Sequence, residues 1–196
     1  ARPVFRYFVR TQPQHRDIDL ARYRVAECSY FLDDFATARK EFREFFDKAP
    51  QDHALTEWAL QYIGETELRL GNAQDAANAF ERMLKQHGDS QLADDARFGL
   101  ARAYEALDRN DDAIELYRQL ASNPQAPRAA DAQFNMSARL FEAQKYADAA
   151  SAFDEVAAKF PNNSLAPLSQ LNAGFSRYHL GDHAAAIESF QRVESD

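Results

Sequence analysis

The chain has 196 residues, 45% of them hydrophobic, with a formal net charge of −8, a pI near 5.2 and one cysteine, Cys28. Acidity of that size argues against a nucleic-acid phosphate track and against binding to an anionic membrane surface. No apolar run approaches the roughly 18 residues of a bilayer span, and one thiol closes no internal disulfide and sets no redox compartment.

Taken from the N-terminus, residues 1–12 read as a single helix. Ala1, Phe5, Phe8 and Pro13 carry the spacing of Ala38, Phe42, Phe45 and Pro50, and Pro3 falls in a first turn, where its missing N–H is tolerated. Residues 1–17 are therefore expected to be the second helix of a preceding unit. Five units follow, over 18–55, 56–93, 94–129, 130–166 and 167–196. Each holds an alanine followed four residues later by an aromatic: Ala38 with Phe42, Ala76 with Phe80, Ala113 with Tyr117, Ala149 with Phe153, Ala186 with Phe190. The interval is 36 to 38 residues, long enough for one helix pair.

The second unit shows the pattern within a pair. Leu60, Ile63 and Gly64 lie at helical spacing, Leu68 and Leu70 close the first helix, and Gly71-Asn72 breaks it before Ala73, Ala76, Ala77, Phe80 and Met83 mark the next. A small residue in each first helix, Ala26, Gly64, Ala101, Ser137 or Gly174, is expected opposite the repeated alanine, because only small side chains there allow close helix contact. Polar stretches at Gln51–His53, Gly88–Ser90, Asn123–Gln125 and Pro161–Ser164 separate the units. The expectation is one all-α array without strands, each unit burying its apolar face on its neighbours. An opening at Ala1 and a stop at Asp196 without a polar capping helix predict a fragment of a longer array, with Phe5, Phe8, Phe190 and Val193 partly uncovered and prone to self-association.

These residues resemble the tetratricopeptide repeat, with its W-x₂-L-G-x₂-Y…A-x₃-F…P pattern. The match is Val25, Ala26, Phe35, Ala38, Phe42 and Pro50 in the first unit, then Leu60, Ile63, Gly64, Ala76 and Phe80. Leu100, Ala101, Tyr104, Ala113 and Tyr117 carry it in the third, Met136, Ser137, Tyr146, Ala149, Phe153 and Pro161 in the fourth, and Ala173, Gly174, Gly181, Ala186 and Phe190 in the fifth. The resemblance implies a right-handed superhelix of antiparallel helix pairs, about five and a half repeats, acting as a non-catalytic protein-interaction scaffold. The longer turns between units are similar to those of bacterial envelope arrays, such as the periplasmic factor associated with the Tol–Pal system and the lipoprotein of the outer-membrane β-barrel assembly machinery. Periplasm or cell envelope is accordingly expected in preference to cytoplasm.

In that family the first helix of each unit lines the concave face. The matching positions here are Tyr23, Glu27 and Tyr30, then Trp58, Tyr62 and Glu65, then Phe98 and Arg102, with Phe134 and Phe141, and finally Phe175 and Tyr178. Leu20, Gln61, Glu105, Ala138, Leu168 and Leu171 accompany them. Two readings stay open: a binding groove, or side chains packed between units. A carboxylate clamp is not expected, because Tyr23, Glu27, Tyr62, Asp95 and Gly99 stand where that clamp uses Lys, Asn and Arg.

No phosphate loop, G-x-S-x-G, H-E-x-x-H or nucleophilic Cys/His pair is present, so neither catalytic residues nor a cofactor are expected. His179 and His183 flank a turn and need not share a face for a metal. Asp33-Asp34, Asp94-Asp95 and Asp111-Asp112 read as helix-start acids. The expected partner is a protein or peptide with an apolar segment carrying Lys or Arg, not nucleic acid or a bilayer, with a homo-oligomer through the chain ends as a further possibility. The alternatives are a structural or self-assembly spacer in a larger complex, or a regulatory array attached to an enzyme outside this sequence.

Overall fold

Helix breaks in this chain are set by one backbone device used five times. Asp33, Gly71, Asp108, Gln144 and Gly181 all have positive φ, between 56° and 81°, and each follows a first helix by a few residues. A left-handed residue there turns the chain and lets the next N–H reach back to the helix. Asp34 N donates to the Ser29 carbonyl at 3.0 Å, Asn72 to Glu67 at 2.8 Å, Lys145 to Leu140 at 2.9 Å and Asp182 to Arg177 at 3.0 Å. Glycine adopts this conformation freely, whereas Gln144 has neither that freedom nor the short side chain of the two aspartates. Gln144→Gly is therefore expected to raise stability by about 1 kcal/mol. An unchanged or lower urea midpoint would show that the residue does not carry that strain.

The structure, a computed structural model, describes residues 1–50 and 52–195, with side chains as far as Val193. Gln51, in the first expected polar turn, and the terminal Asp196 lie outside the described residues. Among the described residues there are eleven α-helices and no strand: α1 (Arg2–Thr11), α2 (Ile18–Tyr30), α3 (Phe35–Lys48), α4 (Thr56–Arg69), α5 (Ala73–Gln86), α6 (Ala93–Ala106), α7 (Asn110–Ala121), α8 (Ala129–Glu142), α9 (Tyr146–Lys159), α10 (Leu165–His179) and α11 (His183–Ser195). Pro3 sits in the first turn of α1. Asp34 caps α3 by accepting the Thr37 N–H at 3.3 Å, and Asp94, Asp95, Asp111 and Asp112 occupy first turns of α6 and α7.

The chain forms two compact units, residues 1–107 and 108–196. In the first, α1 to α6 pack each on the next, and α4 also touches α2 and α6, so the first helices of neighbouring pairs stand side by side. In the second, α7 to α11 do the same, with α8 against α10. Fully buried Phe42, Phe45, Phe80 and Met83 form the seam of the first unit, and Tyr117, Phe153 and Val156 that of the second.

Phe80 shows how the seam is built. A Cβ placed on Gly64 of α4 would lie 2.5 Å from its ring, and one on Gly99 of α6 only 2.3 Å. The ring thus fills the space of two absent side chains and joins its own first helix to the next one. Phe42 makes the same inter-repeat contact by stacking on Tyr62, at 5.6 Å and 9°.

Polar groups pin the helices as well. Glu67 on α4 is 1% exposed, yet it accepts from Asn72 Nδ2 at 2.8 Å and Arg43 Nη2 at 3.2 Å, with Arg39 at 3.7 Å. A buried carboxylate is tolerated when it is paired and hydrogen-bonded, and these partners tie α4 to α3 and to the start of α5. Glu41 on α3 accepts from Arg6 of α1 at 2.5 Å and from Ser29 of α2.

Candidate functional site

In the first unit the face formed by α2, α4 and α6 carries aromatic rings held in place from below. Tyr62 lies flat on Phe42, and meets Tyr30 at 4.9 Å and Phe31 at 5.9 Å between ring centroids. Trp58, one turn earlier on α4, is 42% exposed, and Leu20 stands in the same register on α2. Glu27 is engaged by Arg24 at 2.5 Å, and Glu65 by Arg102 at 3.4 Å. Phe98 is half-buried on α6.

The structure takes one expected groove residue off this surface. Tyr23 is 2% exposed and sets its ring edgewise on Phe42 at 6.0 Å and Phe45 at 5.8 Å, so it belongs to the core. The cause is its place on the α2 turn that faces α3, where Phe42 and Phe45 pack against it. Conversely, Phe31 at the end of α2 is 66% exposed, beside the exposed Leu32, and was not among the expected groove residues. Its position five residues after Ala26, shared by Arg69 and His179 in later repeats, is the signal that could have marked it.

Burial raises the pKa of Tyr23, Tyr30 and Tyr62 above the ordinary phenol value, with the Glu27 carboxylate adding to the effect at Tyr23 and Tyr62 and Glu65 at Tyr30. A phenol that keeps its proton longer in the folded state contributes stability that is fully present below the unfolded pKa of about 10 and is lost as pH rises through the folded value. The melting temperature should therefore fall above about pH 10, and less steeply in Tyr23→Phe. Equal slopes in the two proteins would remove Tyr23 as a cause.

In the second unit, the corresponding face belongs to α8 and α10. Phe134 is half-buried and edges onto Phe153 at 5.6 Å. Phe141 meets Tyr146 at 5.3 Å and His179 at 5.4 Å, and His179 stacks on Tyr146 at 4.9 Å. Phe175 is 45% exposed, and Tyr178, also exposed, leans on His183 at 5.3 Å. His179 also meets the Tyr178 ring, at 6.0 Å, so both histidines are engaged in ring contacts. Ala138, Phe141, Glu142, Phe153, Asn172, Phe175 and His179 line a pocket of about 250 Å³.

Helix pairs joined by left-handed turns, with small residues where the helices meet, define a helical-repeat protein. The sequence profile of the tetratricopeptide repeat matches residues 63–130 and 134–196, and the chain belongs to that family. No curated protein sequence matches it. Among solved structures it is similar to a putative kinesin light chain protein with nearly identical TPR-like repeats from Podosopora anserina, at 14% identity and a TM-score of 0.72 over 93% of this chain and 96% of that one. It is also similar to MamA, at 15% identity and a TM-score of 0.73 over 91% of each chain. A tetratricopeptide repeat protein from Parabacteroides merdae matches at 14% identity and a TM-score of 0.74, over 100% of this chain and 72% of that one. What these share with the chain is the fold, which is typical of protein–protein interaction scaffolds and typically non-catalytic.

Proposed function

We propose that the chain is a non-catalytic interaction scaffold that docks a partner polypeptide on the faces of its first helices, with Trp58, Tyr62 and Phe31 as the main contacts in the first unit. The observation that carries this reading is an exposed Trp58 and Phe31 beside a Tyr62 ring already locked on Phe42. Rings fixed before binding lose little entropy when a partner covers them, so contact area converts more fully into affinity. Glu27 and Glu65 are held by Arg24 and Arg102, which makes apolar contact the main source of affinity and leaves the acids to adjust association rate and selectivity.

The test begins by capturing the partner with the intact protein from its source organism and measuring the purified pair by calorimetry. Trp58→Ala should weaken binding by roughly 2 kcal/mol, about 30-fold, while barely moving the melting temperature. Undiminished affinity, or a stability loss as large as that of a core truncation, would overturn the assignment.

A further inference from the structure

The second unit has a pocket in its first-helix face at the register where the first unit sets an ion pair. Glu65, Arg102, Ala138 and Phe175 occupy one register, each following the small seam residue of its first helix. In the first unit Arg102 reaches Glu65 and bridges α4 and α6. Between α8 and α10 that ion pair is replaced by Ala138 and Phe175, and both line the pocket of about 250 Å³. Pockets for drug-sized ligands run roughly 300–1,000 Å³, so this one suits a single large side chain better than a cofactor.

Its chemistry narrows the occupant further. Phe141, Phe153 and Phe175 make the walls, while Asn172, His179 and Glu142 supply polar groups. Glu142 is paired with Arg139 one turn away, at 2.6 Å, but it stays largely exposed. A pair of that kind is weak and screened, so a cation on the ligand can share the carboxylate. We propose that this pocket anchors one phenylalanine or leucine side chain of a partner polypeptide, with an adjacent lysine or arginine meeting Glu142. The proposal rests on the reading that first-helix faces dock a partner, and adds to it a second subsite and the chemistry that fills it.

The experiment uses the ¹⁵N-labelled chain and acetylated, amidated peptides in which Lys-Phe-Lys is set in a glycine–serine frame. The expected result is chemical-shift change centred on Ala138, Phe141, Asn172 and Phe175, with at least tenfold weaker binding when the peptide phenylalanine is alanine. Exchanging both lysines for glutamate should weaken binding several-fold and remove its salt dependence. Ala138→Arg, which puts a long side chain into the pocket lining, should abolish these shifts, and Phe175→Ala should reduce them in a chain whose circular dichroism is unchanged. Absence of shifts at millimolar peptide, equal binding of the alanine peptide, or unaltered binding by Ala138→Arg overturns the proposal. Shifts of the same amides on raising protein concentration without peptide assign the pocket to a second copy and overturn it too. The Trp58 indole signal is read in the same spectra, so a partner response at Trp58 with a silent pocket removes this subsite and leaves the broader docking function standing.

Discussion

Phe80→Ala lowers the free energy of unfolding by about 3–5 kcal/mol, the range for removing a fully buried phenylalanine. Its ring is 0% exposed and fills the space beside Gly64 and Gly99, so truncation leaves a void that two helices border and neither can easily fill. The same geometry predicts a change of sign. In the wild-type chain Gly99→Ala drives a methyl group to 2.3 Å from the Phe80 ring and costs on the order of 1–3 kcal/mol. In the Phe80→Ala background that obstacle is gone, and the helix preference of alanine over glycine, up to about 1 kcal/mol, makes the substitution stabilising. A urea double-mutant cycle measures both effects. Additive costs would show that the ring does not occupy the space of the missing side chains.

The second large effect comes from adding volume. Ala76 is fully buried on α5, where α4 and α5 pack closely around Gly64. Ala76→Leu inserts three heavy atoms where no space exists, and is expected to cost about 1–3 kcal/mol. Ala184→Leu is the control, because Ala184 is exposed on α11 and a surface substitution changes stability by about 0.5 kcal/mol or less. Equal midpoints for the two variants would place Ala76 outside the tight part of the seam.

The candidate surface was only partly legible in the sequence. Trp58 and Phe175 stand exposed at first-helix positions that spacing alone picks out. Tyr23 on α2 and Tyr62 on α4 have the same chemistry and both meet Phe42, yet one is core and the other half-buried, and Tyr23 also packs on Phe45. Nor does the sequence show that Glu67 is buried. An acid within an apolar helix reads as solvent-facing until Arg39 and Arg43 of α3 and Asn72 at the start of α5 are seen to converge on it.

What this sequence determined by itself was everything carried by local spacing. Helix positions, the 36 to 38 residue repeat, the alanine and aromatic seam, and the place of Gly71 and Gly181 in the turns all follow from periodicity and from residues that suit one backbone conformation. Left-handed turns at Asp33, Asp108 and Gln144 emerged only from the structure, since those residues do not demand that conformation. Tertiary structure alone decided what lies between neighbouring helices: that Phe80 fills the room left by two glycines, that Arg102 meets Glu65 across α4 and α6 while Ala138 and Phe175 line a pocket between α8 and α10, and that His179 stacks on Tyr146. Those outcomes depend on how far one helix stands from the next, a distance set jointly by side chains tens of residues apart, which no local pattern records.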